Sequence, residues 1–486
     1  MRVLSEIIQS DYQVSGDKNV EISGITHDSR KVEKDNIFVC LPGQNTAGKN
    51  FVNDAINRGA RVIVADETIP VGENVVFVLV PEAVKALADI SSNFYFAPST
   101  KLNLIGITGT NGKTTVTYLL ESIYKKAKTP AAVIGTINYR FGEEILQSTT
   151  TTPQSSELQY LLNKSVVDGY KYVVMEVSSH ALALGRVRNC EFDVAIFTNL
   201  TRDHLDFHKT KEEYFLAKLK LFQMLELEGK KTGEKFAVLN NDDEYSQEIL
   251  NSIKVKTITY GLKKKSDFTV KNLKNNIRNT KFTINDEIEI SMNLIGKHNI
   301  YNALAAYACA KTQNIEPSVI KDGIEAVKII PGRLESIDAG QKFGLFVDYA
   351  HTDDALKNVL RTLKELKHNR LITVFGCGGD RDRTKRPVMG EIAVNLSDWV
   401  IVTSDNPRTE EPEKITLDIE VGIRRTKKEN YEIVPDREEA IKRAVYMAKE
   451  DDIILIAGKG HEEYQIIGEK CIPFSDRDIA YKYLKK

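Results

Sequence analysis

The sequence predicts an α/β fold with parallel sheets, and three observations predict it. Short apolar runs such as "NIFVCLPG", "KYVVMEVSS" and "DIILIAG" recur along the chain and suit buried strands. Stretches whose apolar residues repeat at helical spacing follow them. Alternation of the two argues for parallel sheets covered on both faces. The chain has 486 residues, enough for roughly three domains at ~150 residues each.

The elements divide the chain in order. Residues 1–98 hold the runs "NIFVCLPG", "RVIVAD" and "NVVFVLV", with helical stretches such as "FVNDAINRGA" between them. "YFAPST" at 95–100 reads as a linker, because proline and small polar residues interrupt both periods. Residues 99–332 repeat strand–loop–helix units ("KYVVMEVSS", "FDVAIFTNL", "EKFAVLN"). Toward their end the polar–apolar alternation of 263–296 predicts antiparallel hairpins. Pro331–Gly332 in "IIPGRLESI" predicts a hinge. Residues 333–486 then give a fresh series of strands: "GLFVDY", "RLITVFG", "WVIVTS" and "DIILIAG".

Composition excludes several classes. Lys+Arg is 67 against Asp+Glu 68, so no global charge favours nucleic acid or a membrane surface. Cys40, Cys190, Cys309, Cys377 and Cys471 are scattered, with no C-x-x-C pair, which suits a reduced compartment without disulfide frame or zinc site. "MRVLSEIIQSDYQV" has acidic residues where a signal peptide needs an unbroken apolar core. No run of ~18 apolar residues is present. A soluble, cytoplasmic, multidomain enzyme is expected.

"ITGTNGKTT" (107–115) predicts a phosphate-binding loop. Leu102, Leu104, Ile105 and Ile107 precede it as a strand, and Val116, Leu119, Leu120 and Ile123 follow at helical spacing. Gly109 and Gly112 let backbone N–H groups turn toward an anion at a helix N-terminus. Lys113 would reach the terminal phosphates of a nucleoside triphosphate, and the Thr114 hydroxyl a magnesium ion. Ile107 occupies the place of the motif's usual first glycine. An ordinary strand-to-helix turn is the alternative.

Ligands of open α/β sheets bind beyond the carboxyl ends of the strands. Glu176 ends one apolar run, where a carboxylate is costly unless paired or bound to a cation. "VAIFTNLTRDHLDFH" places Asp203, His204, Asp206 and His208 after another; beside a nucleotide, magnesium suits them better than zinc. Capping and ordinary polar roles are the alternative. In "EEYFLAKLKLFQML", Tyr214, Lys218, Leu221, Phe222 and Leu225 fall within one arc, so Lys218 points inward while Lys220 does not. An inward lysine is paired, neutral or chemically changed, unless its stem snorkels over the core edge. "FGCGGDRDRTKR" lacks the last glycine of a dinucleotide fingerprint; its Arg381, Arg383, Lys385 and Arg386 suit carboxylates or phosphates. Asp405, Asn406 and Arg408 follow the next strand, and Lys459, His461 and Glu462 another. Such a sheet end suits a ligand with both ammonium and carboxylate groups, or a solvated salt-bridge network.

Together, "GITGTNGKTT", "MEVSSHAL", "FTNLTRDHLDFH", "YFLAKLKLF", "GKHNIYNALAA", "PGRLE", "DYAHT" and "GGDRDRTKRPVMG" resemble the ATP-dependent Mur ligases, which build the peptidoglycan stem peptide. The resemblance covers about 100 to 480 and includes Thr151–Thr152–Pro153. It is closest to the branch that adds the third residue to UDP-MurNAc-L-Ala-D-Glu. "DNPR" at 405–408 is the tetrapeptide associated there with meso-diaminopimelate rather than lysine.

This resemblance implies three domains: an N-terminal UDP-binding α/β domain, a central P-loop ATPase domain and a C-terminal Rossmann-like domain for the incoming amino acid. It implies that Ser29, Gln44, Asn45 and Thr46 contact the UDP-sugar, and that Thr151, Thr152, Ser178 and Arg186 hold the muramoyl peptide. Thr108, Gly109, Thr110, Asn111, Gly112, Lys113 and Thr114 would take the ATP phosphates, with Asn299, Asn302, Arg333 and Asp348 as further nucleotide contacts. Thr114, Glu176 and His204 would serve Mg2+, and Lys218 matches the lysine that the family carbamylates. Lys113, Glu176, His204 and Lys218 would carry catalysis. Arg381, Asp405, Asn406, Pro407, Arg408, Gly458 and Glu462 match the diaminopimelate site. Asp353 stands where proline is usual, Ala47 where aspartate is common, and His27 and Leu184 replace residues that line the substrate path. The implied partners are small molecules, with no nucleic acid or membrane insertion, acting on a monomer. A lysine-adding or folylpolyglutamate-type ligase is the nearest rival, and a regulatory ATPase without ligase chemistry is the rival of another class.

Overall fold

The computed structural model describes residues 1–43, 47–277, 279–366 and 368–485, and its parallel strands lie in three sheets. The first has five strands in the order 13–15, 76–79, 60–65, 36–39, 24–26, and only its edge strand Gln13–Ser15 runs antiparallel. The second has eight: 144–147, 138–141, 131–134, 172–176, 103–108, 194–197, 236–240 and 256–260, of which only 138–141 runs antiparallel to its neighbours. The third has six in the order 335–336, 344–348, 453–457, 371–375, 399–402, 431–433, again antiparallel only at the 335–336 edge.

Side-chain alternation on the strand Asn103–Thr108 accounts for two cores. Leu104 faces Val173, Met175 and Phe197, whereas Ile105 and Ile107 face Val174, Val194 and Ile196 on the other side. Val116, Leu119, Leu120 and Ile123 of the helix Lys113–Lys126 seal that second face. Each such burial is worth about 1.5–3 kcal/mol. Gly106 within this strand has a packing cause: a Cβ would lie 2.8 Å from the Phe192 ring and 3.1 Å from Leu221 Cδ1. The predicted hairpins form one antiparallel sheet of Val270–Asn275, Thr280–Ile284 and Ile288–Met292, whose Phe282, Ile284, Ile290 and Met292 complete the same core.

Two junctions set the sheets' relation. The stretch read as a linker has Phe96 and Ala97 at φ 60° and 46°, followed by a 3-10 turn Pro98–Lys101. Before it, Asp89 on the helix Ala83–Phe94 accepts from Gln9 Nε2 at 2.9 Å and from Asn189 Nδ2 at 2.6 Å, tying that helix to the second sheet's loops. At Pro331–Gly332, Gly332 has φ 66° and a Cβ there would overlap the His461 backbone. Only glycine lets this turn close onto the loop after the strand Ile453–Ala457. Among the described residues, no helix is long and apolar enough to cross a membrane.

Candidate active site

The strand Asn103–Thr108 lies between Tyr172–Glu176 and Val194–Phe197, so the chain leaves it first to one side and then to the other. A ligand crevice belongs at such a switch point. A cavity of about 720 Å³ opens there, lined by Gly112, Lys113, Thr114, Thr151, Glu176 and His204 on one side and by Arg333, Asp348 and His351 on the other.

The loop is built for an anion. Gly109 and Gly112 have φ 144° and 89°, and a Cβ would overlap Thr198 Oγ1 at the first and Asn302 Oδ1 at the second. Asn199, after the next strand, clamps the loop: its Oδ1 accepts from Asn111 N at 3.0 Å and its carbonyl from Thr110 N at 2.8 Å. Lys113 Nζ donates to the carbonyls of Gly109 and Thr110 at 2.9 and 2.8 Å, with no carboxylate of the described residues in bonding contact. Burial pushes this ammonium's pKa down, against the pull of Glu176 and Asp203. Ile107, in the place of the missing glycine, simply continues the buried strand.

Glu176 is buried, 1% exposed, at its strand end. Its carboxylate accepts from Thr114 Oγ1 at 3.0 and 3.1 Å, from Thr136 N at 2.9 Å and from Thr136 Oγ1 at 3.0 Å. Thr136, absent from the sequence reading, follows the strand Ala131–Ile134, whose parallel pairing with Tyr172–Glu176 places it there. Arg333 Nη2 donates to Thr114 Oγ1 at 3.3 Å, while Arg333 Nε is buried without a partner among the described residues, a donor set for an anion.

The residues fit magnesium with a nucleotide. Among the described residues no cluster of three or more His, Cys, Asp or Glu side chains could hold a metal alone. Thr114 and Glu176 nevertheless offer hard oxygens beside the phosphate loop, the pattern for an ion that keeps waters and phosphate oxygens. His204, at φ 53°, lines the same cavity, with Nε2 3.4 Å from Asp203 Oδ2. His208 does not share its direction: it is buried, 2.9 Å from Ser179 Oγ.

Lys218 lies where its helical arc predicts, 1% exposed with Tyr214, Leu221, Phe222 and Leu225 equally buried, whereas Lys220 is exposed. It reaches the back of the phosphate loop, donating to the Gly109 carbonyl at 2.9 Å above the Tyr214 ring. Burial, and then Lys113, push its pKa well below the ordinary lysine value. Asn302 Nδ2 donates to Asn299 Oδ1 at 3.0 Å, and both line the cavity.

On the opposite wall, the buried Asp348 accepts from Leu334 N at 2.7 Å and Ala350 N at 2.8 Å; burial raises its pKa and Arg333 lowers it. Tyr349 packs between His351 and His461, ring centroids 4.6 and 4.9 Å away. Burial holds the His461 imidazole down to about 4, helped by Arg333 and His351. Asp353 begins the helix Asp353–Lys364 behind the Thr352 cap. Proline and acidic residues both suit that first turn, so the departure leaves Asp348 and His351 in place.

Asp405, Asn406, Pro407, Arg408, Gly458 and Glu462 converge at the third sheet's end. Asn406 Nδ2 donates to Glu462 Oε2 at 2.9 Å, Arg408 Nη1 to the Gly379 carbonyl at 2.8 Å, and a Cβ on Gly458 would crowd Asp405 Oδ2. Arg381 is exposed on the glycine turn beside them. Two of the four cations read there as anion binders are committed to carboxylates within the chain, and Lys385 donates to the His351 carbonyl at 2.8 Å. Arg386 is fully buried between Glu410 and Asp418, and Arg383 pairs with Asp418.

The Thr151–Thr152 stretch meets Ser178 and Arg186: Ser178 N donates to Thr152 Oγ1 at 3.0 Å, Arg186 Nη1 to the Thr152 carbonyl at 3.0 Å, and Thr151 Oγ1 lies 3.1 Å from Thr136 Oγ1. His27 is within electrostatic reach of Arg186, and Ser29 is buried at the start of a 3-10 turn in the first sheet's unit. Gln44, Asn45 and Thr46 lie outside the described residues.

Three family profiles match in sequence order: "Mur ligase family, catalytic domain" over 21–95, "Mur ligase middle domain" over 107–310, and "Mur ligase, glutamate ligase domain" over 332–460. The chain is 44% identical to the UDP-N-acetylmuramoyl-L-alanyl-D-glutamate--2,6-diaminopimelate ligase of Caldanaerobacter subterraneus subsp. tengcongensis, covering 100% of this chain and 99% of that one. A solved structure of a ligase of the same name superposes with TM-score 0.70 at 33% identity, covering 100% of this chain and 99% of its own. The MurF ligase of Thermotoga maritima, solved with ADP, shares the fold at TM-score 0.64 and 18% identity, over 95% of this chain and 97% of that one. Matched from end to end in this way, the chain belongs to the Mur ligase family.

Proposed function

We propose that this chain is an ATP-dependent amide ligase that adds meso-diaminopimelate to the D-glutamate γ-carboxylate of UDP-MurNAc-L-Ala-D-Glu, in cytoplasmic peptidoglycan precursor synthesis. One observation carries the reading: a single cavity joins the phosphate loop and Glu176 to Thr151 and to Asp348 and His351 of the third sheet. A carboxylate held beside Thr151 would meet a nucleotide's terminal phosphate, and an amine arriving from the third sheet would meet both. The full-length relatives named for this reaction support it. In this reading residues 1–98 hold the UDP end, 99–332 the nucleotide and 333–486 the incoming amino acid, and the chain works as a monomer.

The γ-carboxylate oxygen attacks the γ-phosphorus of ATP, giving an acyl phosphate and ADP. The diaminopimelate amine then attacks the acyl carbon, and the tetrahedral adduct expels phosphate as the amide forms and the amine's proton leaves. Loop N–H groups, Lys113 and Arg333 stabilise the charge of the transferring phosphoryl group, so positioning and electrostatics carry most of the catalysis. A magnesium ion held by Thr114, Glu176 and His204 would neutralise phosphate charge. Burial disfavours the charged form of Lys218; the neutral amine is the form that adds CO2, and carbamylation would make it an anion. One CO2 of extra mass on the Lys218 peptide, absent in CO2-free buffer, would establish that modification; its absence in both would remove it. Arg408 would grip the second carboxylate of diaminopimelate in a two-pronged bond. Lysine would leave those donors unpaired, costing about 1–3 kcal/mol.

The acyl-phosphate reading has a direct test. With 18O in the acceptor γ-carboxylate, one labelled oxygen should appear in the released phosphate. Unlabelled phosphate, formed while the amide accumulates, would rule out carboxylate activation by ATP.

A further inference from the structure

Lys459 has no role so far, yet its side chain is 0% exposed. Its ammonium donates to Asn406 Oδ1 at 3.0 Å and to Glu462 Oε2 at 3.1 Å. A buried ammonium is costly unless paired and hydrogen-bonded, and these partners both belong to the third sheet's site. They also fix the Asn406 amide. Its Oδ1 accepts from Lys459 and from Ile466 N at 3.0 Å, while its Nδ2 donates to Glu462 Oε2 at 2.9 Å. Glu462 Oε2 thus receives two donors, and Asp405 Oδ1 receives Asn406 N at 2.6 Å. Glu462 Oε1 and Asp405 Oδ2 remain as acceptors for a ligand's ammonium.

Charge completes the argument. Asp405 and Glu462 supply two carboxylates, and Arg408 and Lys459 two cations. Arg437 behind them is matched by Asp476, and Arg381 sits on the exposed turn. The quartet sums to zero. The free end of meso-diaminopimelate carries an ammonium and a carboxylate on one carbon, and also sums to zero. The corresponding end of L-lysine is an ammonium alone. Without Lys459 the quartet would carry one net negative charge and suit lysine better.

Resting on the reading of this sheet end as a diaminopimelate site, we propose that Lys459 is a specificity-determining residue. It orients Asn406 and Glu462 and balances the pocket's charge, so that a zwitterionic end is preferred to a lone ammonium. Specificity of this kind works by penalising the competitor as much as by holding the substrate.

The test compares wild type, Lys459→Met and Lys459→Gln for phosphate release with ATP, magnesium and UDP-MurNAc-L-Ala-D-Glu. Each preparation is given meso-diaminopimelate and L-lysine separately, so the ratio of the two kcat/KM values does not depend on the folded fraction. The ratio is expected to fall by roughly tenfold or more in both variants, chiefly through the KM for diaminopimelate. Where turnover is too slow, calorimetric binding of the two amino acids gives the same ratio. An equal loss for both amino acids would make Lys459 a structural residue and overturn the proposal. A wild type that uses neither would overturn the ligase reading and the proposal with it.

Discussion

Lys113→Met should lower the turnover number by roughly 10³-fold without lowering the melting temperature. The two halves of this expectation share one cause. Among the described residues the Lys113 ammonium bonds only to the Gly109 and Thr110 carbonyls, and burial already disfavours its charge. The fold therefore gains little from it, whereas a transferring phosphoryl group beside it would gain a full positive charge in a site shielded from water. Methionine keeps the stem and removes the charge. Initial-rate phosphate release and a thermal melt on the same preparation check both halves. A loss below tenfold, or a melting temperature that falls with the rate, would contradict this role.

Asp476→Ala should destabilise the chain by about 3–5 kcal/mol. Arg437 and Asp476 are both 0% exposed, joined by Nε–Oδ1 and Nη2–Oδ2 bonds of 2.7 and 2.6 Å. Arg437 also donates at 3.1 Å to the carbonyls of Ser404 and Ala457, the residues just before Asp405 and Gly458. Removing the carboxylate leaves a buried guanidinium unpaired behind the third sheet's site, so amino-acid binding should weaken along with the fold. Replacing both partners, as Arg437→Met with Asp476→Leu, should recover most of the stability, because no charge is then left buried. Urea unfolding of the single and double variants measures this. A single-variant cost under about 1 kcal/mol, within the range of an exposed pair, would contradict the account.

Much of the site was legible because it follows local period. The strand–loop–helix change around 107–115 located the glycine loop that lines the cavity, and the helical arc through Tyr214 and Leu225 put Lys218 inside, as it is. Glu176 was legible as a carboxylate ending an apolar run. What periodicity misses is set by distant pairing. Thr136 donates to Glu176 twice, yet nothing near it in sequence announces this; the pairing of Ala131–Ile134 with Tyr172–Glu176 decides it. Arg383 and Arg386 looked like ligand contacts, and only the packing of the helix Lys385–Leu396 on Pro412–Arg425 reveals Asp418 as their partner. His208 shares a helical spacing with His204 but turns to Ser179, because the short helix Leu205–His208 begins only after a left-handed His204.

The most direct measurement is phosphate release with ATP, magnesium and UDP-MurNAc-L-Ala-D-Glu, comparing meso-diaminopimelate with L-lysine. Release that requires the acceptor and diaminopimelate together, and is weak with lysine, is the predicted result. Release from ATP that is indifferent to acceptor and amino acid would contradict the ligase and leave a nucleotide hydrolase on the same fold.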